Sequence, residues 1–293
     1  MSESVIADFV GNFNAEVMAT TEPVKGRVLL SQKRLVLAAN ENDKFTIPLS
    51  SIFDIAVGHI PPDLGDFFDS TVTVAFERGQ DRYVAVVEAE DEKISKFSTV
   101  LFKAVLNGTE TTVKERARVG GRVTDEAFST ARLFVEDGTV EFRSSGGASF
   151  TIGLETVTDF RRTTREIGGS DRPTLTFRHM MDGTAVTTMA AMASARKMSI
   201  LGRYLRLEYS DLMEDLQEIE LTNDKTEILV AIYSTGDMEG MSLADILGVD
   251  GSQVTMLLQD LKEDGLVQDS PGGPKLTPKG EVVASRYLED VNS

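Results

Sequence analysis

Three groups of residues have the types and spacing to bind or react. Asp63, Asp66 and Asp69 lie in His59-Ile-Pro-Pro-Asp-Leu-Gly-Asp-Phe-Phe-Asp69. Carboxylates this close can gather around a hard cation, but the ligand spacing of an EF-hand loop is missing. A solvated acidic loop accounts for them. Phe67-Phe68 sit in the same string, and paired aromatics in a loop either anchor a partner or cap a core. The third group is Arg161-Arg162-Thr-Thr-Arg165, followed by Arg172 and Arg178. A basic cluster on an acidic chain suits an acidic protein partner, or it is a solvated face.

No catalytic set stands beside these groups. The chain has no Cys, which removes disulfides, thiolate metal sites and cysteine nucleophiles together. His59 and His179 are the two histidines, too few for a His-rich metal site and placed without a Ser or Asp set around them. The glycine pairs at 120–121, 146–147, 168–169 and 272–273 match no phosphate-binding loop and read as turns. No catalytic, cofactor-binding or metal residue is therefore expected, and no cofactor.

Charge narrows the partners. Against 30 Lys+Arg stand 47 Asp+Glu, a net of −17 over 293 residues. That field repels nucleic acid and anionic lipid. Acidic, lysine-poor composition also suits a cytoplasm rich in salt, where screening over about 3 Å at 1 M quiets carboxylate repulsion; an ordinary acidic protein is the plainer alternative. The amino terminus has no basic leader and no stretch reaches 18 apolar residues, so a cytoplasmic chain without membrane insertion is expected.

The elements that carry these groups occur twice. Phe45-Thr-Ile-Pro-Leu-Ser-Ser-Ile-Phe-Asp54 aligns with Phe150-Thr-Ile-Gly-Leu-Glu-Thr-Val-Thr-Asp159 at an offset of 105. Arg27–Leu30 falls on Arg132–Val135 at the same offset, and Thr71–Val74 on Thr174–Phe177 at 103. One register over successive strands indicates duplication. Each copy reads as short alternating strands and turns, closed by an amphipathic helix around Ile94–Val105 or from Ser194. Six or seven strands and one helix have the order of a pleckstrin-homology-like barrel. The second helix continues in steps of three or four to Glu220, so its stripe packs within the chain or forms a seam between two copies, a homodimer.

After Leu221 come short helices, a Ser270-Pro-Gly-Gly-Pro274 tip and a final helix from Pro278 or Lys279. This is the order of a winged helix, and Leu261-Lys-Glu-Asp-Gly-Leu-Val267 with Leu276-Thr-Pro-Lys-Gly280 resembles winged-helix regulators. Residues 221–293 hold 13 acids and 5 bases, which weighs against DNA. The expected fold class is α+β: pleckstrin-homology-like β-barrel domains at 1–108 and 109–220, a long connecting helix, and a winged helix at 221–293.

Domain order, with Val24-Lys-Gly-Arg-Val-Leu-Leu-Ser-Gln-Lys-Arg-Leu-Val-Leu37 and the repeated Phe-Thr-Ile-x-Leu…Asp core, resembles the archaeal taxis family CheF over essentially the full length. The resemblance implies a non-enzymatic adaptor. It would link the response regulator CheY, preferably phosphorylated, and CheC- or CheD-type proteins to accessory proteins at the archaellum motor. A transcription regulator with sensor domains is the alternative, and a lipid-binding module a third that the charge disfavours. The family supplies no binding residues to transfer. The candidate partner-binding residues remain Phe67, Phe68, Arg161, Arg162 and Arg165.

Overall fold

The computed structural model describes residues 4–18, 22–60, 67–144, 149–181, 184–217, 219, 221–235, 243–248, 250–270 and 272–291. The chain is mixed α+β, with antiparallel sheets. The first sheet comprises β1 (Val5–Ala15), β2 (Val24–Ser31), β3 (Arg34–Ala38), β4 (Lys44–Pro48), β5 (Ile52–Val57), β6 (Ser70–Arg78) and β7 (Asp81–Ala89), in the order β4-β3-β2-β1-β7-β6-β5. Helix α1 (Asp91–Leu106) follows. The second sheet comprises β8 (Thr109–Val119), β9 (Arg122–Val123), β10 (Ser129–Glu136), β11 (Thr139–Ser144), β12 (Phe150–Gly153), β13 (Val157–Ile167), β14 (Ser170–Met181) and β15 (Thr184–Ala191). Its order is β12-β11-β10-β8-β15-β14-β13, with the short β9 added on β8.

The two orders are the same, and the registers match in detail. Leu37 faces Phe45 as Phe142 faces Phe150, and Leu35 faces Ile47 as Val140 faces Ile152. A 3₁₀ turn at Leu49–Ser51 recurs at Leu154–Thr156. The irregularity between Ile52 and Asp54 recurs between Val157 and Asp159. Bulges are devices that re-aim a strand, so their recurrence at one register is strong evidence of a copied backbone plan. The expected barrels are not closed. β4 and β5 are the ends of one sheet, β12 and β13 of the other, and these ends do not pair. Helices cover the apolar faces instead.

Alternation sets the inner faces. Phe13, Val28, Leu30, Leu35, Leu37, Val72, Val74, Ala85 and Val87 are buried in the first sheet, with Val113, Leu133, Val135, Phe142, Leu175 and Phe177 in the second. α1 adds Ile94, Phe97, Leu101, Phe102 and Val105 at helical spacing. Helix α2 (Ala195–Gln217) adds Met198, Leu201, Tyr204 and Leu205. All these residues belong to one continuous core. The helix expected over 194–220 is thus observed to Gln217, with Ser194 accepting from the Lys197 amide at its start; residues 218 and 220 lie outside the described residues. From Met198 to Tyr209 its stripe packs within the chain, and the helix lies against α1, β5 and β14; the side chains of 211–217 lie outside the described residues.

The halves are locked where α1 meets α2. Phe102 and Tyr204 rings lie 5.6 Å apart, and the Tyr204 hydroxyl donates to the Glu136 carbonyl at 2.9 Å. Lys103 of α1 reaches Asp137 at 2.8 Å and Glu136 at 3.2 Å across the junction. In return α2 sends Arg196 to Glu77 and Arg203 to Asp54, both at 2.5 Å.

A second core belongs to α3 (Asn223–Thr235), α4 (Leu243–Leu247), α5 (Gly251–Glu263), the hairpin β16 (Val267–Ser270) with β17 (Gly273–Leu276), and α6 (Pro278–Val291). Asp250 caps α5 by accepting from the Ser252 amide at 2.8 Å, and Gly265 follows with φ +70°, as its C′ position requires. α6 also packs against β13, β14 and the Leu154–Thr156 turn.

Candidate partner-binding faces

The two described ends of the connection after β5, 58–60 and 67–69, are tied down on the outer face of the first sheet. There Thr71, Glu88 and Asn12 stand side by side on β6, β7 and β1. Glu88 is 3% exposed. It accepts from the Asp69 amide at 2.9 Å, from Asn12 Nδ2 at 2.6 Å, and from the Phe68 amide. Thr73 on the same face donates its hydroxyl to the His59 carbonyl. Burial alone would raise the Glu88 pKa, but the Asp69, Asn12 and Phe68 donors outweigh it and hold the carboxyl below its ordinary range. The fixed backbone presents Phe68 to solvent at 89% exposure and leaves Phe67 half-buried. Asp63 and Asp66 lie outside the described residues, and among the described residues no acidic or histidine cluster could hold a metal.

Sequence reasoning missed Glu88. Its position in the alternation of Tyr83–Glu88 is outward, which ordinarily means solvated. It is buried because a segment some twenty residues earlier folds back over it, and periodicity carries no trace of that.

The arginines come out differently from the expectation of one patch. In place of the first copy's long connection, β13 and β14 continue as a two-stranded arm around Gly168-Gly169. Both glycines have positive φ, 62° and 76°, as a two-residue hairpin turn matching strand twist demands. Strand alternation then separates the cluster. Arg162 shares a face with Phe160, donates to Ser199 Oγ of α2 at 2.9 Å, and sits beside the Phe160–Tyr209 edge contact at 5.5 Å. Arg161 and Arg165 point to the opposite, outer face.

That outer face reads as rows across the ladder. Asp159, Arg178, Thr187 and Arg118 form one row; Arg161, Thr176, Met189 and Lys114 the next; Thr174, Ala191 and Thr112, beside Thr163, a third; Arg165 and Arg172 the last. Arg172 donates to Thr112 Oγ1 at 3.0 Å. Arg161 and Arg165 are exposed, and no ion pair reaches either among the described residues. Thr163 Oγ1 is buried without a hydrogen-bond partner among the described residues.

Other features are structural or engaged. His179 is buried against Thr188 at 3.0 Å, and burial lowers its pKa, so it stays neutral in the core. A cavity of about 700 Å³ opens between α2 and β5–β7, with the Asp54–Arg203 pair, Arg206 and His59 on its wall. On α5, Gln253, Thr255, Met256 and Gln259 face solvent, while Lys262 is held by Asp269 at 2.7 Å and Lys225 by Asp264 at 2.9 Å. Among the described residues no helix is long and apolar enough to cross a membrane.

Fold and surface together define the class: a repeated sheet-and-helix unit with one continuous core, carrying a small helical module with a core of its own. The chain belongs to the family described as archaeal chemotaxis signal transduction system protein F, whose model matches residues 5–211. It is 46% identical over 292 residues to "Taxis protein CheF2" of Halobacterium salinarum, covering all of both chains. It is 29% identical over 297 residues to "Taxis protein CheF1" of the same organism, covering 99% of each. These place it among proteins of archaeal chemotaxis signalling.

Proposed function

We propose that this chain is a non-catalytic adaptor of archaeal taxis. It binds the response regulator CheY, with preference for the phosphorylated form, together with CheC- and CheD-type proteins. It passes that state to accessory proteins of the archaellum motor, in the cytoplasm at the motor base. The observation that carries this reading is end-to-end similarity to proteins named for taxis. The differing outer faces of the two sheets support it, since an adaptor needs more than one docking surface. A preference for one state of a partner is a difference in binding free energy, and tenfold corresponds to about 1.4 kcal/mol.

On this reading residues 1–108 and 109–220 are two pleckstrin-homology-like domains in open rather than closed form, and 221–293 is a winged helix. Support for the first comes from the shared strand order with a following helix. Support for the second comes from α3, α4 and α5, a two-stranded wing and α6. Phe67, Phe68, Arg161 and Arg165 are partner contacts, while Arg162 of β13 is turned to the opposite face and bonded to Ser199 of α2.

The test is affinity capture from a high-salt lysate with the tagged full-length chain, with and without beryllofluoride to hold CheY in its activated form. Enrichment of CheY with beryllofluoride, together with motor accessory proteins, is expected. Recovery of specific promoter fragments and no Che protein would sink the adaptor and favour a transcription regulator.

A further inference from the structure

We infer that the outer face of the second sheet, formed by β13, β14, β15 and β8, is the docking surface for an acidic segment of a partner protein. Five cations share it, Lys114, Arg118, Arg161, Arg165 and Arg172, beside Arg178, which is already engaged. In these rows they meet one acid, Asp159. The matching rows of the first sheet hold none: Arg178 falls on Ala75, Arg161 on Ala56 and Lys114 on Asn14. The cations therefore do not come from the copied fold. They were placed on one copy of a plan that folds without them.

The first copy also shows what such a face receives. There the acid is built in as Glu88, and the chain's own segment through Phe68 and Asp69 bonds to it. In the second copy Ala191 takes the Glu88 position, and the connection has shrunk to Gly168-Gly169. Arginine stands where the first copy has neutral residues, and the Thr163 hydroxyl keeps unused hydrogen-bonding capacity in the middle of the face. A carboxylate-bearing strand or loop from outside satisfies Arg161, Arg165 and the Thr163 hydroxyl. Arg is suited to this, because its planar fork pairs with carboxylates two bonds at a time. Against a chain of net −17, nucleic acid and anionic lipid are repelled at long range, whereas a short acidic protein segment meets only the local field. The inference rests on the adaptor reading for its biological partner, but not for its chemistry.

The experiment uses the full-length chain and two binding probes. The first is a fluorescein-labelled decaglutamate peptide read by anisotropy; the second is beryllofluoride-activated CheY read by calorimetry. Wild type is expected to bind the peptide. Arg161→Ala/Arg165→Ala/Arg172→Ala is expected to bind it about tenfold more weakly, as for several partly exposed charge pairs lost together. Thr176→Glu, which sets a carboxylate opposite Arg161 without removing a cation, gives a similar loss. Arg162→Ala leaves the affinity unchanged. Absence of peptide binding, or equal affinity in the triple variant, overturns the inference, as does an Arg162→Ala loss as large as the triple one. A short DNA duplex bound by wild type and lost in the triple variant overturns it too, by making phosphate the occupant. If the peptide binds as expected but CheY does not, the face stands and the CheY reading falls. If CheY binds wild type and triple variant alike and the peptide binds neither, the reading stands and the face falls.

Discussion

At the scale of single residues, Glu88 and Phe68 divide the work of one segment. Glu88 holds the backbone and Phe68 is what the backbone displays. Glu88→Gln keeps the shape but turns a carboxylate with three donors into an amide with one acceptor oxygen, which should cost about 1–3 kcal/mol in chemical denaturation. The pH dependence has a definite sign. The folded pKa lies below the unfolded 4.5, so the folded state holds this proton less tightly. The stabilisation is fully present above pH 4.5 and is lost as pH falls through the depressed value. The stability gap between wild type and Glu88→Gln should therefore close on acidification; a gap that stays constant would show that the charge is not what holds the segment. Phe68→Ala removes an 89% exposed ring and should change stability by no more than about 0.5 kcal/mol. With Phe67→Ala it should weaken CheY binding in calorimetry at native salt, and unchanged affinity would move that contact elsewhere.

At the scale of elements, the β13–β14 arm depends on its turn. A side chain at position 168 or 169 meets no neighbouring atom, so the cost is one of backbone conformation alone. Gly168→Ala and Gly169→Ala should each loosen the arm by about 1–2 kcal/mol. The readout is faster amide exchange from Thr163 to Arg172, with exchange in β2 and β3 unchanged. Elements were unevenly legible in the sequence. Turn chemistry and the repeated Phe-Thr-Ile core fixed β2 to β4 and β10 to β12, because each strand is apolar on one face and bounded by Gly, Asn or Ser. β1 and β8 went unread. β8 is Thr-Glu-Thr-Thr-Val-Lys-Glu-Arg-Ala-Arg-Val, with Val113 and Ala117 its buried apolar residues, so its polar outer face drowns the pattern. β1 hides in the same way behind Asp8, Asn12 and Asn14. The candidate site was legible as residue types but not as a face. Arg161, Arg162 and Arg165 look contiguous on paper, and only the strand period shows that the middle one turns away.

At the scale of the whole molecule, charge is distributed by module. The C-terminal module combines its acids with lysines already engaged: Lys225 is held by Asp264 and Lys262 by Asp269. With few free cations to displace counterions, it should show no sequence-selective affinity for a short duplex at the cell's salt. Selective binding by electrophoretic shift would reverse the choice between adaptor and regulator. The shared core of the two sheets has its own signature. Tyr204→Ala empties a site shared by both halves, and should cost about 3–5 kcal/mol while leaving a single unfolding transition in calorimetry. Two separated transitions would mean the halves are thermodynamically independent.

The way each unit leans on the next has a consequence for growth. α2, at the end of the second unit, lies along β5 of the first, and α6 of the C-terminal module lies against β13 of the second. A repeat that covers its predecessor in this way is a staircase, and a staircase has no natural last step. The helical module ends it, much as terminal repeats end a solenoid. A chain stopped at residue 217 would keep a step ready for another molecule, and light scattering should then find larger, head-to-tail multimers than it finds for residues 1–293. The C-terminal module would on this view be the cap of the repeat, fixing the number of sheets at two.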